Sequence, residues 1–200
     1  MLTPRRRDAA GFSLIELMVT LTLIGLLLVL AIPAYGTWTA DAHVRATAES
    51  LTNALRLAQS TAVAKGRTSL FALTADAAPS IHSAPAADAP NWFAMLNVLS
   101  GSDETQSGLG LILKSTEATQ HHAAIAGPAL LCFNALGRQT SLTTADDSLS
   151  TACTAADPAV YQVGRGSGAS RTFQVLVYAG GRVRMCDAAK SISSANPDGC

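Results

Sequence analysis

The feature that most restricts this chain is a run of 21 residues from Phe12 to Ile32, FSLIELMVTLTLIGLLLVLAI, which holds one charge, Glu16, and follows a stub carrying Arg5, Arg6 and Arg7. At about 1.5 Å of rise per residue, a helix of that length covers roughly 30 Å, the depth of bilayer hydrocarbon. A basic stub before such a run stays in the cytoplasm. The run is longer than the apolar core of a secretory signal peptide, and the residues at its end, Ala31 to Tyr35, do not form a small-residue cleavage site. Everything after it is polar and rich in Ala, Ser and Thr, so the chain reads as a membrane segment followed by a domain.

Composition limits what that domain can be. Two hundred residues with 48% hydrophobic and 14% charged content suit one core and exclude a disordered or collagen-like chain. The 14 basic and 14 acidic side chains exclude a protein that holds nucleic acid through bulk positive charge. Any such binding must be local.

Glu16 is the anomaly of the apolar run, since burying a carboxylate near the bilayer costs a few kcal/mol unless it finds a partner. The residues around it, Gly11-Phe12-Ser13-Leu14-Ile15-Glu16-Leu17, resemble the prepilin signature of type IV pilins and type II secretion pseudopilins. The resemblance implies that a prepilin peptidase cuts between Gly11 and Phe12 and that the new N-terminal Phe12 is methylated. It also implies that Glu16 neutralises the Phe12 amine of a neighbouring subunit during assembly. Without residues 1 to 11 the mature chain keeps 11 basic and 13 acidic side chains, a formal charge of −2. Gly25 and Pro33 lie within the apolar helix, where the weak helix former and the missing N–H predict bending or local melting between them.

From Thr37 to Lys65 apolar residues recur at Val44, Ala48, Leu51, Leu55, Ala58 and Ala62, steps of three or four that draw one stripe on a helix. Gly66 is its stop, and His43 and Arg45 fall on the solvated side. Beyond Gly66, short apolar runs separated by turn residues predict strands at Ser69 to Leu73, Trp92 to Leu99, Leu109 to Leu113, Leu130 to Phe133 and Thr172 to Arg184. Ala75 to Pro90 and Thr143 to Pro158 read as long mobile loops. In the last strand pair, Gly180-Gly181 supplies the positive-φ residues of a tight hairpin. Period two then puts Arg182 and Arg184 on one face and Val183 and Met185 on the other. The fold class is α+β: a long N-terminal helix, half membrane and half amphipathic, packed on a C-terminal antiparallel sheet domain, as the resemblance to pilins also implies.

All four cysteines, Cys132, Cys153, Cys186 and Cys200, lie in the part that the N-terminal segment sends out of the cytoplasm, where disulfides form. Of three possible connectivities, the sequential one is favoured, Cys132 to Cys153 and Cys186 to Cys200, because each bridge ties a turn-rich segment to an adjacent strand. Their spacing does not suit a zinc site, and His121-His122 sits alone in a polar stretch. No phosphate loop, nucleophile elbow or metalloprotease spacing is present, and the acids are scattered over loops. The chain reads as no enzyme, with no cofactor and no catalytic residues.

Three further blocks resemble the GspH/FimT group of minor pilins and pseudopilins. They are Leu55 to Arg67 (LRLAQSTAVAKGR), Phe133-Asn134-Ala135-Leu136-Gly137-Arg138, and Gly181-Arg182-Val183-Arg184. The last fits the Gly-Arg-x-Arg element with which minor pilins of the FimT type contact DNA, and the resemblance implies that role for Arg182 and Arg184. Charge distribution points the same way: residues 160 to 190 hold Arg165, Arg171, Arg182, Arg184 and Lys190 against Asp187 alone, a local balance of +4. The rest of the mature chain stands at −6. That asymmetry predicts a local phosphate-binding patch on double-stranded DNA, read through the backbone because no aromatic cluster accompanies the arginines. Gly164, Gly166 and Gly168 make a flexible basic loop around Arg165.

The domain expectation is a leader at 1–11, a hydrophobic transmembrane and filament-core helix at 12–35, and a periplasmic or extracellular domain at 36–200. Its expected partners are the prepilin peptidase, other pilin or pseudopilin subunits, the inner membrane before assembly, and DNA. The functional expectation is a minor pilin that binds DNA in natural transformation. The alternative is a type II secretion pseudopilin or a purely structural minor pilin, whose C-terminal region only packs against other subunits.

Overall fold

A computed structural model describes residues 12–97, 110–142, 152–165 and 171–200. The chain divides into two units, the first ending at Thr39 and the second comprising Ala40–Cys200. One helix, α1 (Leu14–Lys65, 52 residues), supplies the described part of the first unit and the spine of the second. It is continuous through Gly25 and Pro33, so the expected local melting does not occur. A single proline removes only one backbone hydrogen bond, and the helix tolerates that loss.

In the first unit, the large apolar side chains from Phe12 to Val29 all lie on the surface, Phe12 at 84%. Among the described residues no helix is long and apolar enough to cross a membrane. The side chains of 30–34, which complete the apolar run, lie outside the described residues.

In the second unit, the predicted stripe is the core-facing edge of α1. Val44, Ala48, Leu51, Leu55, Ala58 and Ala62 are all fully buried, and Ala40 and Ala54 join them. The helix stops where Gly66 takes a φ of +63°. There the Gly66 N–H donates to the Val63 carbonyl (3.2 Å) and the Arg67 N–H to the Ala62 carbonyl (3.1 Å). This pair of bonds satisfies carbonyls of the last turn and favours glycine at the left-handed position.

Two four-stranded antiparallel sheets share the core with α1. The first has the order β3-β2-β1-β5, from β1 (Ser69–Thr74), β2 (Asn91–Leu96), β3 (Leu111–Ser115) and β5 (Leu130–Phe133). The second has the order β4-β6-β7-β8, from β4 (Ala123–Ala126), β6 (Ala159–Arg165), β7 (Phe173–Val177) and β8 (Val183–Asp187). A single turn, α2 (Glu117–Gln120), precedes β4. The helix stripe packs with Phe71, Trp92, Phe133, Tyr161, Val175 and Val183 from both sheets in one cluster.

The two sheets differ in solvation. Every residue of β1, β2 and β5 is buried, because the second face of that sheet carries its own cluster around Leu70, Phe93, Met95 and Ile81. Hence the segment read as a mobile loop, Ala75 to Pro90, is in part a cover: Ile81 and Ala89 are buried, and the Ala86 N–H donates to the Leu73 carbonyl (2.8 Å). Its apolar anchors are too widely spaced to register as periodic. The second sheet alternates, with β6 and β7 burying every other residue, which is the pattern of a sheet with one wet face.

Both disulfides have the sequential pairing, Cys132–Cys153 and Cys186–Cys200, with Cα atoms 5.9 and 5.2 Å apart. Strands β4 and β6 were not anticipated. Of the expected loop at Thr143 to Pro158, residues 143–151 lie outside the described residues, and Cys153 bridges to Leu142.

Candidate functional site

The β7–β8 hairpin positions Arg182 and Arg184. Val177 faces Val183, the Tyr178 N–H donates to the Arg182 carbonyl (3.0 Å), and the Gly181 N–H returns to the Tyr178 carbonyl (2.8 Å). Only Gly181 has positive φ (+91°), so Gly180 does not share the role expected of it. One left-handed residue after a turn suits a three-residue hairpin loop, and a two-glycine turn is not needed.

Gly181 is also where the three blocks that resemble minor pilins meet. The Gln59 amide Nε2, on α1, donates to the carbonyls of both Gly137 (2.6 Å) and Gly181 (2.8 Å). Gly137 sits in a tight loop organised by Asn134, whose Oδ1 accepts from the Leu136 and Arg138 N–H groups at 2.9 and 3.1 Å. Gly137 too has positive φ (+73°). Helix, loop and hairpin are therefore joined at one polar knot, and the glycine that opens Gly-Arg-x-Arg is fixed by packing.

Arg182 is exposed, with its guanidinium carbon 4.2 Å from the centroid of the Tyr178 ring. This is one aromatic ring and not the aromatic cluster that base stacking would call for. Stacking on a ring fixes the guanidinium plane without consuming its N–H donors. Arg184 is half-buried, and its Nη2 donates to the carbonyls of Gly199 (2.7 Å) and Pro197 (3.3 Å). The expected same-face pair is present, but Arg184 is tied to the C-terminal tail. On the opposite face Val183 is buried and Met185 half-buried.

The remaining basic residues are less available than the charge count suggested. Asp187 is buried, with 2% of its surface exposed, and its Oδ2 lies 3.9 Å from both Arg171 Nε and Lys190 Nζ. Lys190 also meets Asp198 at 2.5 Å, and the Lys190 ammonium holds the Asp198 carboxyl below its ordinary range. The Arg171 backbone amide, and not its guanidinium, donates to Asp41 Oδ1 (3.0 Å). Counting charges between 160 and 190 left out Asp41 and Asp198, which the fold brings back. Arg165 is not in a flexible loop: it ends β6, paired with Ala123, and is exposed there. Residues 166–170, with two of the three glycines, lie outside the described residues.

A residue that sequence reasoning missed stands beside the arginines. Arg56 on α1 donates from Nη2 to the carbonyl of Val183 (3.2 Å), the residue between Arg182 and Arg184. Arg56, Arg182 and Arg184 line one open groove of about 580 Å³, with Asn53 and Glu49 among its other walls. Helical phase gives the only sequence signal for Arg56, which follows Leu55 at the border of the buried stripe. Which strand that border meets is a matter of tertiary structure.

At the N-terminus, Gly11 lies outside the described residues, while Glu16 stands exposed in the first turn of α1, its N–H donating to the Ser13 carbonyl (3.1 Å). A carboxylate there complements the positive end of the helix dipole. His121 is less isolated than its sequence context suggests, since its ring lies tilted against that of His43 with centroids 4.6 Å apart. Among the described residues no three His, Cys, Asp or Glu side chains are grouped to hold a metal ion.

The profile of the prokaryotic N-terminal methylation motif matches residues 6–32. No curated protein sequence matches the chain. Among solved structures the chain is similar to the type IV minor pilin FimU of Pseudomonas aeruginosa (strain PAO1) in two crystal forms, at 16% identity in each. One has a TM-score of 0.45 and covers 73% of this chain and 94% of that one; the other has 0.48, 76% and 95%. The N-terminal match establishes the methylation motif itself, on the segment that contains Gly11, Phe12 and Glu16.

Proposed function

We propose that the chain is a minor pilin of a type IV pilus that binds the backbone of double-stranded DNA and promotes its uptake. The pilin part of this reading is supported by the methylation motif at 6–32, followed by a helix whose first part exposes apolar residues and whose second part is the spine of an α+β unit. On this reading residues 1–11 are a leader removed by the prepilin peptidase, and Phe12 becomes the methylated N-terminus. Residues 12–35 anchor the chain in the inner membrane and then in the filament core, and 36–200 stand in the periplasm and later at the cell surface. Glu16 pairs with the Phe12 amine of a neighbour. No residue has a catalytic role.

The observation that carries the DNA part is the exposed Arg182, held over the Tyr178 ring at the tip of the last hairpin and flanked by Arg184. Guanidinium groups on a rigid turn suit phosphate oxygens, which position a duplex without reading its sequence. Arg165 adds an exposed charge, whereas Arg171 and Lys190 contribute through the residual field of their ion pairs with Asp187 and Asp198. The test is a titration of the detergent-solubilised full chain with random-sequence duplex DNA over a series of salt concentrations. Arg182→Gln should weaken binding and lower the salt slope by about one phosphate contact, while Lys114→Gln, on the other sheet, should leave both unchanged. Loss of DNA uptake in the Arg182→Gln strain, with filaments still assembled, completes it.

A second reading is a structural minor pilin or type II secretion pseudopilin. The ion pairs of Asp187 and Asp198 favour it, because they neutralise two of the five cations on which the DNA reading was built. Wild-type protein that fails to bind DNA at low salt would leave this second reading in place.

A further inference from the structure

We propose that Arg56 of α1 is the third guanidinium of a preformed phosphate site, so that a DNA phosphodiester is gripped between the helix and β8 and not by the hairpin alone. The inference rests on the DNA reading above and names the residue and the groove that would complete it.

Each of the three arginines is held in place by a contact that leaves most of its five N–H donors free. Arg56 gives one to the Val183 carbonyl at 3.2 Å, Arg182 gives none to its stacking partner Tyr178, and Arg184 spends Nη2 on the tail carbonyls. Guanidinium groups fixed in advance lose little freedom when a ligand arrives, which is the source of affinity in a preorganised site. The acid in the groove does not cancel them: Glu49 is engaged by Arg45 Nε at 2.8 Å, and Arg45 is not among the residues lining the groove. Three arginines and one engaged acid therefore border one open space, and the excess of positive charge suits an anion.

Shape selects the anion. One or two arginines in a plane suffice for a carboxylate, whereas three arginines brought to one groove by a helix and by the hairpin suit a group with several oxygens. A groove of about 580 Å³ takes a phosphodiester with its flanking sugars. It is too small to admit a duplex, so bases stay outside and recognition is independent of sequence. Asn53 adds a neutral donor to the wall of the same groove.

The experiment uses the full chain in neutral detergent with a short random-sequence duplex, and follows fluorescence anisotropy across a salt series. Arg56→Gln should weaken binding by roughly three- to tenfold at low salt and make the salt slope shallower by about one. Arg56→Lys should restore most of the slope but not all of the affinity, since the charge returns without the fork. Circular dichroism verifies that both variants keep the wild-type fold. If wild type binds DNA and Arg56→Gln matches it in affinity and slope, this inference is overturned and the DNA reading survives. If wild type does not bind DNA, yet inorganic phosphate shifts the Nε–H resonances of Arg56 and Arg182, the DNA reading fails and the groove stands as a small-phosphate site. If neither ligand binds, both fall. Binding only to micelles doped with phosphatidylglycerol would assign the groove to lipid headgroups and overturn the DNA assignment.

Discussion

The Gly181 α-carbon faces the Gly137 carbonyl oxygen so closely that a methyl group on Gly181 would overlap it, with the Gln59 amide pressed against the same space. The neighbouring Gly180 has nothing within 4 Å of where its methyl would stand. Gly181→Ala should therefore destabilise the domain by about 2–3 kcal/mol, from positive-φ strain together with damage to the Gln59 hydrogen bonds. Gly180→Ala should stay within about 0.5 kcal/mol of wild type. Thermal unfolding followed by near-UV circular dichroism checks both, and equal midpoints for the two variants would contradict the packing described.

Processing is predicted from the N-terminal motif. Gly11→Val should block cleavage and leave a full-length precursor in the membrane, whereas mass spectrometry of the wild-type mature chain should begin at a methylated Phe12. Glu16→Ala should be cleaved normally but enter filaments poorly, since the Phe12 amine of a neighbour loses its partner. A mature N-terminus beyond Ala31 would rule this out.

The Cys186–Cys200 bridge spans 14 residues of sequence, a closed loop worth about 3 kcal/mol in the chain-entropy account. The Cys186→Ser, Cys200→Ser double variant should lose about that much stability. Its last residues should also exchange amide hydrogens faster, because the Cys200 N–H now donates to the Lys190 carbonyl at 2.9 Å and would be released with the tail. Unchanged exchange at residues 198 to 200 would show that the ion pairs alone hold the tail.

Two groups set opposite pH limits. The hydroxyl of Tyr161 is fully buried, has no hydrogen-bond partner among the described residues, and titrates well above its ordinary value of 10.0 because burial disfavours the phenolate. The unfolded chain ionises first, so stability falls as pH rises past 10.0. Tyr161→Phe should remove that alkaline loss and cost little at neutral pH, since it deletes an orphan hydroxyl. Asp198 behaves in the other sense. Its hydrogen bond from Lys190 lowers its pKa from 3.8, so its contribution is present above that value and is lost as pH falls below it. Amide exchange in the tail, compared at neutral and acid pH, should reveal the loosening.

What the sequence made legible was whatever depends on a short period. The helix stripe follows a 3.6-residue repeat and the last strand a two-residue repeat, so the face shared by Val44 to Ala62 and the face of Arg182 and Arg184 could be read directly. Strand β4 is a four-residue run, AAIA, with too little apolar bulk to register, and β6 was obscured by Gly164, which is strand-paired with Ala124. The hairpin arginines were visible, but their availability was not. That depends on the carbonyls of Pro197 and Gly199 returning to Arg184 through a disulfide-closed loop, and on Arg56 arriving from more than a hundred residues upstream. Both are long-range placements with no local pattern.

The exposed apolar side chains of Phe12 to Val29 have a kinetic corollary. Wetting such a surface costs about 25 cal/mol for every Å² of it, so a copy freed into water would aggregate before it could diffuse to a destination. On the pilin reading proposed above, passage from membrane to filament is then a handover, in which one apolar host is left only as the next closes around the helix.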